Sequence, residues 1–129
     1  AHLLALKGKF TESLSHIYYG LQLDPLSILH NTSLGRLFYF MEQFGSAILK
    51  LRETLELAPQ NYLVSVILGA ALVEQEEYEE ALEIFYSVPN SDSTIEVLSM
   101  IGYIQARQKE TNKAIQTLAK IERLESVKD

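Results

Sequence analysis

Three groups of side chains in this sequence could do chemistry: the histidines, a run of glutamates, and a cluster of aromatic rings around one arginine. His2, His16 and His30 stand at equal intervals of about four helical turns, and imidazoles in register could ligate a metal. A helical metal site needs ligands at i, i+4, however, and these three fall on different predicted helices. They read as ordinary, partly exposed histidines, and no metal is expected. The chain has no cysteine, which excludes disulfides and thiolate ligands. It carries no glycine-rich phosphate loop, nucleophile elbow or paired motif of catalytic spacing. Neither a catalytic residue nor a cofactor is expected, and the chain reads as no enzyme.

The stretch LGRLFYFMEQF, Leu34 to Phe44, holds four aromatic rings and one arginine. Such a set is core, cofactor pocket or partner surface, and its placement on a helix decides among them. The run EQEEYEEALE concentrates charge. Between residues 62 and 94 stand Glu74, Glu76, Glu77, Glu79, Glu80, Glu83 and Asp92, with no Lys or Arg. The rest of the chain nearly balances, so the net charge of −6 resides there. An acidic edge of Glu76, Glu77, Glu79, Glu80 and Glu83 could steer a basic partner. The favoured reading is local: glutamates at a helix start are stabilised by the macrodipole.

Elements must position these groups, and composition bounds them. A chain of 129 residues is the size of one domain, and about two thirds of its unfolded surface can be buried. Hydrophobic residues at 47% and charged residues at 22% are ordinary globular proportions. The longest apolar run, VSVILGAALV, is broken by Ser65 and Gly69, so no membrane insertion is expected. The negative charge argues against a nucleic-acid surface, which needs a clustered basic face. The start, AHLLALKGKF, has neither an initiator Met nor the order of a signal peptide. It reads as the cut edge of a longer protein, cytoplasmic, with an exported domain as the alternative.

The organisation is a repeat. LQLDPLS returns as LELAPQN, with Pro25 and Pro59 in register. Leu34-Gly35 returns as Leu68-Gly69 and then as Ile101-Gly102, and Ala47, Ala81 and Ala114 keep the same intervals. Apolar residues recur at helical spacing, as in Leu34, Leu37, Phe38 and Met41. Strict alternation never lasts. Helices are expected over 1–7, 10–23, 27–41, 45–57, 61–75, 78–87, 94–107 and 111–125. Asn61 is placed to cap one of them, and Ser93-Thr94-Ile95-Glu96 has the spacing of a capping box. Pro89 should end its helix early, making VPNSDS either a hinge or a tolerated loop variation.

Short residues let two helices approach closely, so Gly35, Ala47, Gly69, Ala81, Gly102 and Ala114 should mark hairpin crossings. Each hairpin leaves an apolar face bare, and stacking its neighbours buries that face.

The recurring residues resemble the tetratricopeptide repeat family. Leu34, Gly35, Phe38, Phe44, Ala47, Leu51 and Pro59 form one copy, and Leu68, Gly69, Leu72, Tyr78, Ala81 and Phe85 the next. A cut first copy keeps Phe10, Ser13, Ile17, Gly20 and Pro25. The fourth keeps Ile101, Gly102, Ala114, Leu118 and Ile121, with Gln105 and Thr111 where apolar or aromatic residues are usual. Asn31, Ser65 and Leu98 stand in the column of the family tryptophan. The resemblance implies an all-α fold, a right-handed solenoid of antiparallel helix hairpins with about three and a half repeats. The copies divide one domain, 1–129, near 1–27, 28–61, 62–94 and 95–129.

In this family the first helix of each hairpin lines the concave surface, and the resemblance implies that peptides or protein segments bind there. Turning the helix places Leu34, Phe38 and Met41 on one side and Thr32, Arg36, Tyr39 and Phe40 on the other. The matching sets are Val66, Ala70, Val73 and Glu74, then Ser99, Tyr103, Ala106 and Arg107. They predict a groove with aromatic anchors, two arginines able to take a carboxylate, and one glutamate. Phe40 belongs either to that groove or to packing against a neighbouring helix. The chaperone-binding members clamp a terminal carboxylate with Lys, Asn and Arg. Here those columns hold residues such as Thr32, Ser33, Val66, Ile67 and Ala70, so no such clamp is expected.

The phrases LDPLS, LGRLFYF and LELAP also resemble repeats appended to bacterial regulators and signalling proteins. The expected function is therefore a non-enzymatic interaction scaffold that holds a peptide or protein segment. The alternative is a structural spacer or self-association module of a larger bacterial regulatory protein, the isolated fragment forming homo-oligomers through its edges.

Overall fold

The computed structural model describes the backbone of residues 2–128 and the side chains of residues 7–127. These form α1 (His2–Leu23), α2 (Ile28–Phe40), α3 (Phe44–Leu57), α4 (Tyr62–Glu74), α5 (Tyr78–Ser87), α6 (Ile95–Arg107) and α7 (Thr111–Lys128). A single 3-10 turn, Ser91–Ser93, follows α5. No strand occurs among the described residues. Helices α2/α3, α4/α5 and α6/α7 pair as hairpins, and α1 packs on α2. Contacts of α2 with α4 and of α4 with α6 make the first helices of the hairpins one inner row.

Each inner helix closes in the same way. Glu42, Glu76 and Lys109 take the left-handed conformation, at φ 60°, 59° and 61°. The Gln43 amide donates to the Phe38 carbonyl at 2.9 Å, and the Glu42 amide to Tyr39 at 3.0 Å. Glu77 to Leu72 and Glu110 to Gln105, both 2.9 Å, repeat the longer bond. This Schellman closure satisfies the last carbonyls and reverses the chain within three residues. Two starts carry side-chain caps: Ser27 Oγ accepts from the His30 amide at 3.1 Å, and Asn61 Oδ1 from Val64 at 3.0 Å.

The short residues do set the crossings. A Cβ on Gly35 would stand 2.6 Å from Leu51 Cγ, and one on Gly69 would enter the Phe85 ring. Leu51, Leu68, Leu72, Phe85, Val97 and Ile104 are fully or almost fully buried and form one core with Ala47 and Ala81. A second cluster, Ile17, Leu34 and Leu37, joins α1 to α2, and Phe38 packs against both. Asn31, Ser65 and Leu98, in the tryptophan column, are all buried. Asn31 manages this by donating to the carbonyls of Pro25 and Ser27 at 3.0 and 2.9 Å.

Four local expectations need correction. Residues 1–7 and 10–23 are not two helices: α1 runs unbroken from His2, because Gly8 lies in open space and nothing there turns the chain. Ser93 and Glu96 do not form a capping box. The Ser93 and Thr94 hydroxyls both donate to the Asn90 carbonyl, at 3.2 and 2.8 Å, while Glu96 accepts from Tyr62 at 2.8 Å.

Leu118 does not fill the column of Leu51 and Phe85, since it is 53% exposed. Thr117 lies opposite Gly102 instead and donates to the buried Gln105 Oε1 at 2.6 Å. Last, α7 reaches Lys128 rather than ending at 125. Pro89 does shorten its helix: α5 ends at Ser87, and Val88 adopts the extended backbone a following proline imposes. The 3-10 turn then wedges against α5, α6 and α7.

Candidate partner-binding groove

The inner row brings its last helical turns to one end, because α2, α4 and α6 run in the same direction. Tyr39 stands next to the end of α2, Glu74 ends α4 and Arg107 ends α6. With Val73, Glu76, Tyr78, Met100 and Tyr103 they line an open groove of about 520 Å³. Tyr39 is half-buried, its ring edge-on to Phe40 and Phe44 at 5.8 and 5.5 Å between centroids. Burial, and then the charge of Glu74, push its hydroxyl above the usual tyrosine range. Tyr103 is exposed.

The Arg107 Nε donates to the Tyr78 hydroxyl at 3.4 Å, and its Nη2 lies 3.7 Å from Glu76 Oε1. The Tyr78 bond comes first among the influences that raise the Arg107 pKa. Both of these contacts are made within the chain.

Arg36 and Phe40 lie elsewhere. They face a crevice of about 410 Å³ between α1 and α2, shared with Ser13, His16, Ile17, Ser33 and Leu37. The Arg36 guanidinium stands 5.5 Å from the Phe40 ring centroid. One expected groove is therefore two concavities, divided because Arg36 and Phe40 sit one turn apart on the α1 side of α2.

Thr32 is in neither: it is 6% exposed, and its Oγ1 has no hydrogen-bond partner among the described residues. Val66 and Ala70 are half-buried, and Ser99 returns its hydroxyl to the Ile95 carbonyl at 2.8 Å. Ala106 is exposed without lining either space.

Sequence reasoning left Tyr78 and Met100 out of the groove. The signal for Tyr78 was its place as first residue of the returning helix, where a side chain meets the groove rim as well as the core. The acidic edge also divides. Glu80 receives a two-point contact from Arg52, Nε to Oε2 at 3.0 Å and Nη2 to Oε1 at 2.6 Å. Glu76 turns into the groove, while Glu77, Glu79 and Glu83 face solvent.

No group of three or more His, Asp or Glu residues that could hold a metal occurs among the described residues. His30 Nδ1 lies 2.9 Å from Ser27 Oγ and its ring packs over Gly20, His16 is exposed, and the His2 side chain lies outside the described residues. No described helix is long and apolar enough to cross a membrane.

No protein-family model matches this chain, and no curated protein does. Solved structures do. "MamA 41-end from Desulfovibrio magneticus RS-1" superposes with a TM-score of 0.86 at 21% identity, covering 98% of this chain and 72% of that one. "MamA RS-1 ArsTM double mutant" gives 0.85 at 21%, over 98% and 71%. "Crystal structure of MamA" gives 0.82 at 20%, over 93% and 71%. Likeness at this identity speaks to architecture, and MamA is a tetratricopeptide-fold protein. The chain has the tetratricopeptide-type fold, an α–α superhelix of stacked hairpins.

Proposed function

We propose that this chain is a protein-interaction module without enzymatic chemistry, holding a peptide or protein segment along its inner helical row. The observation that carries the reading is the groove itself: three successive hairpins contribute Tyr39, Glu74, Tyr103 and Arg107 to one concavity. Large rings beside a few polar groups are the composition of a protein interface rather than of a reaction site. The stacked-hairpin fold supports it, since such solenoids present extended concave surfaces.

The test is affinity capture with the wild type, with Tyr39→Ala/Tyr103→Ala, and with the exposed control Glu56→Ala. A partner retained by wild type and control but lost by the double variant, while the double variant still melts well above the assay temperature, is the expected result. Capture indifferent to the double variant would remove the groove from consideration.

A second reading, self-association, is favoured by one observation. Ile115 and Leu118, one turn apart on α7, are 58% and 53% exposed and form an uncovered apolar pair. Another helix or a second copy would cover them, and a mass that rises with concentration in light scattering tests this.

A further inference from the structure

The charges around the groove decide what kind of segment it holds. Two carboxylates, Glu74 and Glu76, and one guanidinium, Arg107, face it. Arg107 is engaged by Glu76 and Tyr78. Glu74 is exposed and has no ion-pair partner among the described residues. The backbone adds to its field. Tyr39, Glu74 and Arg107 belong to the final turns of three helices that run in the same direction, and a helix carries partial negative charge at its C-terminal end. Arg107 is the chain's own answer to that field, and it leaves one carboxylate over.

The walls suit a cation as well. Tyr39, Tyr78 and Tyr103 line the groove together with the apolar Met100 and Val73. Tyrosine faces attract ammonium and guanidinium groups, and an apolar surface takes the methylene stem of a long basic side chain. The surrounding hairpin is also the acidic part of the chain, which favours approach of a basic segment.

We propose that this groove selects a lysine or arginine side chain of the bound segment, pairing it with the Glu74 carboxylate beside the rings of Tyr39, Tyr78 and Tyr103. This reverses the polarity expected from the sequence, where the arginines were to take a partner's carboxylate. It rests on the reading that the inner row binds a polypeptide.

The experiment is selection from a phage-displayed library of random linear peptides on the wild-type protein. Enriched peptides are synthesised, and their affinities measured for wild type, Glu74→Gln, Glu74→Lys and Tyr103→Ala, each checked by its melting curve. Glu74 and Tyr103 are exposed, so these variants keep the fold. Enriched sequences should share a Lys or Arg, and Glu74→Gln should weaken them by about tenfold, as loss of a charge-assisted bond does. Reselection on Glu74→Lys should enrich acidic peptides instead.

Peptides without a basic residue that still lose binding in Tyr103→Ala would overturn the cation proposal while leaving the groove in place. Absence of enrichment, or binding indifferent to both Tyr103→Ala and Glu74→Gln, would overturn the groove reading and this proposal with it.

Discussion

Phe85 occupies the space that a side chain at Gly69 would need, its ring pressed against the α4 backbone. The ring is wholly buried and cannot retreat. Gly69→Ala should therefore destabilise, by about 1–2 kcal/mol after helix propensity offsets part of the overpacking. Gly8→Ala is the matched control. It lies within α1, exposed, with no atom in reach of an added Cβ, and should stabilise by about 0.5–1 kcal/mol. Urea denaturation of both variants reads the two opposite signs, and a shared sign would mean that α4 and α5 cross elsewhere.

The left-handed closures give a second prediction. Glu42 and Lys109 pay for φ near +60° that glycine adopts freely. Strain of about 1–2 kcal/mol exceeds the extra entropy glycine loses on folding, so Glu42→Gly and Lys109→Gly should each raise stability by about 0.5–1 kcal/mol. Asn90 shares the conformation, but asparagine tolerates it, and Asn90→Gly should change little. Thermal melts rank the three, with a net loss in Glu42→Gly counting against the closure geometry.

Alkaline titration probes the groove. The Tyr39 hydroxyl is held above its ordinary range, first by burial and then by Glu74. A raised pKa means that the folded state favours the neutral hydroxyl. The stability this lends is whole below the unfolded value of about 10 and is lost as pH climbs through the folded value. Tyr39→Phe should move base-induced unfolding to higher pH. In ultraviolet difference titration, Glu74→Gln should lower the Tyr39 pKa part of the way, since burial remains. An unchanged titration would separate Glu74 from Tyr39.

The fold was legible because packing leaves a periodic mark. Gly35, Gly69, Ala47 and Ala81 recur since every hairpin must solve the same close approach, and their positions alone place the crossings. What stayed hidden is aperiodic or three-dimensional. The closures at Glu42, Glu76 and Lys109 carry no glycine, so composition gives no sign of them. The groove split because a helical wheel says which residues leave the core, not which neighbour they then meet. Arg36 and Phe40 turned towards α1, and Arg107 met Tyr78 and Glu76 across hairpins. Leu118 was misplaced by register counting, since a polar pair replaces the apolar crossing in the last hairpin.

That pair supplies the last prediction. Gln105 is buried, accepts from the Thr117 hydroxyl at 2.6 Å, and its amide lies 3.5 Å from the Tyr86 hydroxyl. Thr117→Val keeps the volume and deletes the donor, leaving the buried Gln105 carbonyl oxygen unsatisfied, and should cost about 1–3 kcal/mol. Gln105→Leu alone strands the Thr117 hydroxyl, which is buried as well. The double variant removes both polar groups and offers apolar contact opposite Gly102, so its cost should fall well below the sum of the singles. A double-mutant cycle by chemical denaturation measures the difference. Coupling above about 1 kcal/mol would establish that this hydrogen bond, rather than the bulk of Thr117, stabilises the α6–α7 crossing. Strict additivity would instead assign that stability to the shape of the α6–α7 contact alone.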